Sequence, residues 1–248
     1  MKTRATHASA ASAVVWPWLM LPLRLVLFAV FQALIALLLP GSPDPLAAAA
    51  AWWPFTATLT NGVTIAALVI LYRREGSSFL AQLRIARETA RSDIVLMAGL
   101  GLVAAPLAIV PNMGLAMLLF GSSEAALDLL VRPLPVWAIY VALATFPLSI
   151  AFAELPAYFK YVMPRLEAAT GSRLIAILLP AAFLAAQHVT LPLLLDWRFA
   201  LWRLLMFLPF AIFVGFVLHW RMRLLPYFMI VHAVMDAAMI PLFLSRLG

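Results

Sequence analysis

An all-α, polytopic bundle of membrane-spanning helices is the fold class the sequence predicts, and three observations predict it. Of the 248 residues, 66% are hydrophobic and 11% are charged, whereas a soluble domain carries about 25% charged residues. Mean hydropathy is +1.04. The apolar residues fall in long runs, near 18–40, 52–72, 94–119, 134–158, 174–195, 200–219 and 224–244, each near the length of about 20 residues that crosses a bilayer. Seven spans result, or eight if residues 94–119, interrupted by Pro106, Pro111 and Asn112, fold back as a hairpin. No separate soluble domain is expected.

Orientation follows from Lys and Arg, whose excess marks the cytoplasmic side. With the N-terminus inside, the inner segments hold Lys2, Arg4, Arg73, Arg74, Arg84, Arg87, Arg91, Lys160, Arg165, Arg173, Arg221 and Arg223. The outer ones hold Arg132, Arg198, Arg203 and Arg246. This balance favours seven spans over the hairpin, which would invert everything after it. The eight tryptophans stand near run ends, as an interfacial belt requires. The small residues of 1–17 precede the first apolar run, where a signal peptide would have its cleavage site after it, so this stretch is read as a cytoplasmic tail. Residues 18–132 form the N-terminal helices and 133–248 a second, site-bearing bundle. Near 77–92, Phe79, Leu83, Ala86 and Ala90 recur at helical spacing opposite Arg84, Arg87, Glu88 and Arg91, which predicts an amphipathic helix on the inner leaflet.

Cysteine is absent, so disulfides, thiolate metal sites and a cysteine nucleophile are excluded. The net charge of +7 reports loop topology in such a chain, and no nucleic-acid partner is read from it. The bilayer is the expected partner.

The ionisable residues within the spans are Arg24, Glu154, His188, His232 and Asp236. A charge at a span centre costs roughly 2.5–3.5 kcal/mol on insertion scales, so such residues usually face the bundle interior and serve a function. Arg24 stands about one turn into its run, and a long side chain there is expected to reach back to the interface. His232 and Asp236 are four apart, on one helical face. Glu154 and His188 come from two further spans. One carboxylate, two imidazoles and a second carboxylate suit hydrolysis by activated water, with a carboxylate as base and imidazoles as orienters or oxyanion donors. The same groups would ligate zinc or carry protons or cations in a transporter, so residue types alone leave these alternatives open. The chain has no H-E-x-x-H, no G-x-G-D pair and no G-x-S-x-G.

The ordered set of Glu154, His188 and "H232-A-V-M-D236" resembles the CPBP intramembrane proteases, which include type II CAAX prenyl proteases and bacteriocin-processing and self-immunity proteins. The family pattern is E-E-x-x-x-R, then F-x-x-x-H, then H-x-x-x-N or H-x-x-x-D, and the resemblance covers roughly residues 135–245. Leu155 stands for the second Glu, Phe159 for the Arg and Leu184 for the Phe, whereas His232 and Asp236 match unchanged. The resemblance implies an endopeptidase of a bacterial inner (plasma) membrane acting on a membrane-associated or lipidated peptide or protein. In it Glu154 and His188 activate water, and His232 and Asp236 bind the oxyanion. No metal is required, zinc on Glu154, His188, His232 and Asp236 being the alternative. An ionised Asp236 has no proton to donate, so it is either protonated or an orienter of His232. The replaced Glu and Arg leave a non-catalytic membrane scaffold as the second expectation.

Overall fold

The computed structural model describes residues 3–245, with side chains from residue 15 onward. Lys2 and Arg246 of the charge count therefore lie outside the described residues. The fold is all-α, with one isolated bridge between Thr190 and Leu193. Among the described residues, six helices are long and apolar enough to cross a membrane: Val15–Leu37, Pro45–Arg74, Leu80–Phe120, Val136–Thr170, Trp197–Trp220 and Met222–Leu244. The chain is a multi-pass membrane protein.

Seven principal helices carry the architecture: α1 Thr3–Leu37, α2 Trp53–Arg74, α3 Ala90–Phe120, α4 Val136–Leu155, α5 Arg173–Gln187, α6 Trp197–Trp220 and α7 Leu225–Met239. Contacts fix their directions. Arg24 meets Asn61, and the Arg74 guanidinium lies 5.6 Å from the Trp16 ring centre, so α1 and α2 are antiparallel. Asn61 meets Ser149 while Tyr72 meets the Lys160 carbonyl, so α2 and α4 run the same way. Trp202 bonds Asn112 while Arg223 pairs with Asp93, which sets α6 against α3. Glu154 faces His232, while Phe146 of α4 and Phe243 just beyond α7 both pack on Trp53, which sets α7 against α4.

Several expectations change here. Residues 94–119 are not a hairpin, because α3 runs unbroken through Pro106 and Pro111. The expected amphipathic helix near 77–92 is replaced by two short 3-10 turns, Leu80–Leu83 and Arg87–Thr89, separated by extended Arg84 and Ala86. The tail expected over 1–17 joins α1 from Thr3 onward. Two of the eight tryptophans are buried within the protein: Trp53 Nε1 donates to the Leu130 carbonyl, and Trp202 packs on Phe199.

The fourth apolar run does not stop at 158. At Pro156, which has no N–H for the helical ladder, α4 widens into a π-helix, Pro156–Val162, and continues as Met163–Thr170. Glu154 therefore lies deep in a 35-residue helical segment, on the turn just before a π-helical stretch of the kind often found at functional sites.

The fifth run departs most. The stretch 174–195 forms a helix of 15 residues, Arg173–Gln187, about 22 Å long against a hydrocarbon core of about 30 Å. Its apolar remainder, 188–196, is irregular. Ile177 lies beside Gly215 and the His188 carbonyl beside Arg203, so α5 and its extension run the length of α6 in the opposite direction. Irregular backbone at such a position survives only if protein satisfies its polar groups. Arg203, expected in an outer loop, is instead 5% exposed and donates to the carbonyls of His188 and Leu191 at 3.3 and 3.0 Å. Gln32 of α1 accepts from Leu193 N–H at 2.7 Å and donates to the Leu193 carbonyl at 2.8 Å. Thr190 Oγ1 bonds the Leu25 carbonyl.

Gln32→Leu leaves both backbone groups of Leu193 without these partners. At about 1–3 kcal/mol per unpaired group when fully buried, and less for these half-buried ones, it is expected to lower unfolding stability in detergent by about 2 kcal/mol, whereas Gln82→Leu in the half-exposed 3-10 turn is expected to be silent.

Candidate functional site

Five helices bring polar side chains to one point. Arg24 of α1 is fully buried and does not reach an interface, contrary to expectation. Its Nε donates to Gln187 Oε1 at 2.7 Å, and its Nη1 donates to Asn61 Oδ1 at 2.8 Å and lies 3.4 Å from Thr64 Oγ1. Its Nη2 lies 3.6 Å from Glu154 Oε2 and makes no hydrogen bond. The guanidinium also lies 5.1 Å from the Phe28 ring centre, a favourable position for a cation.

Glu154, 2% exposed, is bound through both oxygens to different neighbours. Oε2 accepts from Gln187 Nε2 at 2.5 Å. Oε1 lies 3.6 Å from His232 Nε2, and the same nitrogen lies 3.2 Å from Asp236 Oδ2. Glu154, His232 and Asp236 are thus brought together, His232 and Asp236 on the one helical face that their spacing suggested. The two α7 residues are each about a fifth exposed, so the cluster is closed on the Arg24 side and more open on the α7 side.

His188 is not hydrogen-bonded to this cluster. Its Nδ1 lies 2.8 Å from the Leu184 carbonyl one turn earlier, and its ring stacks on Phe207 with centroids 3.7 Å apart. Arg203, His232 and Arg24 lie within electrostatic range of it, so it borders the cluster without touching Glu154 through a hydrogen bond. The neighbouring Gln187 is the α5 residue that engages Glu154. Among the described residues, no three His, Asp or Glu side chains are grouped to hold a metal ion.

Leu155 and Phe159, which stand where the resemblance has Glu and Arg, are core residues. Leu155 is 5% exposed and Phe159 is fully buried. A Cβ placed on Gly215 would stand 3.1 Å from the Phe159 ring and 3.1 Å from Ile177. That close approach of α6 is filled by an apolar ring, and the cation beside Glu154 comes from α1.

Beside α7 runs an apolar cavity of about 250 Å³ between α3, α6 and α7, lined by Gly101, Ala105, Ala108, Phe210, Phe228 and Met235 among others. Small side chains on α3 leave the space. Phe228, Val231 and Met235 of α7 line it, on the helix that carries His232 and Asp236.

The chain matches no known protein family, no curated protein and no solved structure.

Arg24, Gln187 and Asn61 were not among the residues expected to matter. The signal available was position: Arg24 stands well inside α1, with long apolar stretches on both sides.

Removing one member of a buried ion pair costs about 3–5 kcal/mol, whereas removing both costs far less. Arg24→Met is therefore expected to destabilise by about that amount, and Arg24→Met combined with Glu154→Leu to recover at least half of it, read from thermal unfolding in detergent.

Proposed function

We propose that the protein is an intramembrane endopeptidase of CPBP type, with seven crossings, a cytoplasmic N-terminus and a place in a bacterial inner membrane. The observation that carries this reading is the convergence of Glu154 Oε1 and Asp236 Oδ2 on His232 Nε2, with Glu154 Oε2 already engaged by Gln187. One carboxylate oxygen is thereby reserved for chemistry, within reach of an imidazole.

In the reaction, Glu154 Oε1 takes a proton from water while the water oxygen adds to the scissile carbonyl carbon. The negative charge on the carbonyl oxygen is met by His232 Nε2–H, which turns its hydrogen from Asp236 Oδ2, 3.2 Å away, to the oxyanion. The carbon–nitrogen bond then breaks, and the proton on Glu154 passes to the leaving amine. Carboxylic acid and amine result. Glu154 is the base in these steps, and the Leu184 carbonyl at Nδ1 leaves Nε2 of His188 as the ring nitrogen that would assist it. No metal enters these steps.

Seven crossings are supported by the alternation of helix directions, with residues 173–196 lying along the full α6 helix. The cavity beside α7 supports a substrate that approaches from within the bilayer, its apolar part against Phe228 and Met235.

A second reading, a non-catalytic membrane scaffold, is favoured by the pairing of Glu154 with Arg24 and by the apolar residues at 155 and 159. Purified protein in lipid vesicles, offered a library of fluorogenic peptides with apolar segments, decides between them. Cleavage is expected, and Glu154→Gln is expected to reduce it by about 10²–10⁴-fold; no cleavage of any peptide, or full activity of Glu154→Gln, overturns the hydrolase reading. Ala105→Phe, which fills the cavity without touching Glu154, is expected to raise KM severalfold and leave kcat near wild type.

A further inference from the structure

Glu154 is bound by a glutamine although a guanidinium lies 3.6 Å away. A glutamine amide has two ends, and only its NH₂ end suits a carboxylate; turned over, it would set its own oxygen against Glu154 Oε2. Arg24 settles the orientation. Arginine has donors and no acceptor, so its Nε–H at 2.7 Å requires Oε1 of Gln187 on its side and sends Nε2 toward Glu154. The Tyr158 hydroxyl, 3.4 Å from the same Oε1, agrees with that orientation.

Arg24 acts likewise on its other side. Its Nη1 holds Asn61 Oδ1, so Asn61 Nδ2 is left to donate to Ser149 Oγ at 2.9 Å, and Ser149 Oγ donates to the Phe146 carbonyl at 3.0 Å. Both arms of the guanidinium thus return to α4, one at Ser149 and one at Glu154. The planar fork sets two amides at once, which the compact ammonium of a lysine does not reproduce.

We propose that Arg24 is a positioning residue that acts through Gln187: it dictates that Oε2 of Glu154 is the bound oxygen and Oε1 the one presented to His232. The kinetic consequence rests on the hydrolase reading, whereas the positioning itself does not. Arg24→Lys is the test, since it keeps the charge and removes the fork.

Protein in lipid vesicles, labelled with ¹⁵N in glutamine side chains and ¹³C in glutamate carboxyls, is expected to show by solid-state NMR a close nitrogen–carbon contact that vanishes in Gln187→Leu. That contact is expected to be lost in Arg24→Lys and kept in Asn61→Leu, which frees the other arm only. Its survival in Arg24→Lys, or its loss in both variants, which marks general loosening of the core, overturns the proposal.

With a fluorogenic peptide that the wild type cleaves, Arg24→Lys is expected to lower kcat about tenfold with KM unchanged, and to alter kcat by less than about twofold in a Gln187→Leu background. Equal effects in the two backgrounds show that Arg24 does not act through Gln187 and overturn the proposal. Full activity of Glu154→Gln would remove the hydrolase reading and leave the NMR contact to decide the positioning.

Discussion

The burial of one guanidinium constrains the rest of the molecule. Withdrawing an arginine head from water is expensive unless charge and hydrogen bonds compensate it, and Arg24 is fully buried. Its compensation comes from Asn61 and Thr64 on α2, Glu154 on α4 and Gln187 on α5. These partners fix the depth of four helices against one another, and the His232–Asp236 face of α7 then meets Glu154 at that level. A division into N-terminal helices and a self-contained site-bearing half does not describe these interactions, since α1 and α2 supply the cation and one of the amides around the carboxylate.

The residues at 155 and 159 take on a physical meaning in this frame. Replacing an ion pair by apolar residues of good fit is often neutral, provided both partners go together. Leu155 and Phe159 are both apolar and both buried, with Phe159 filling the contact that Gly215 allows. Glu154 then still needs a cation nearby, and a helix distant in sequence supplies it.

Much of this was legible in the sequence, for identifiable reasons. Apolar run length shows helices wherever a helix fills the run, so α2, α3, α6 and α7 fall close to their expected places, while α1 starts well before its run. It fails at 174–195 because Val189, Leu191, Leu193, Leu194 and Leu195 prolong the apolar run through backbone that is not helical. It also ends α4 early, because Lys160 resembles a loop boundary while the helix passes it through a π-helix. In the site, the spacing of His232 and Asp236 and the solitary Glu154 were readable, because an ionisable group within lipid stands out. Gln187 and Asn61 were not, since a neutral amide carries no comparable sign. His188 drew attention in place of Gln187, although consecutive helical residues point about 100° apart; one faces Glu154 and the other faces Phe207.

The backbone of 188–196 has a consequence for biogenesis. A helix of 15 residues followed by carbonyls and amides that need Gln32 and Arg203 is poorly suited to entering lipid by itself. Arg203 lies on the helix synthesised next, so α5 and α6 are best inserted as one hairpin, and the chain then closes on α1, made first. Integration of this protein is therefore a cooperative event among helices far apart in the order of translation, in which the earliest segment waits for the fifth and sixth.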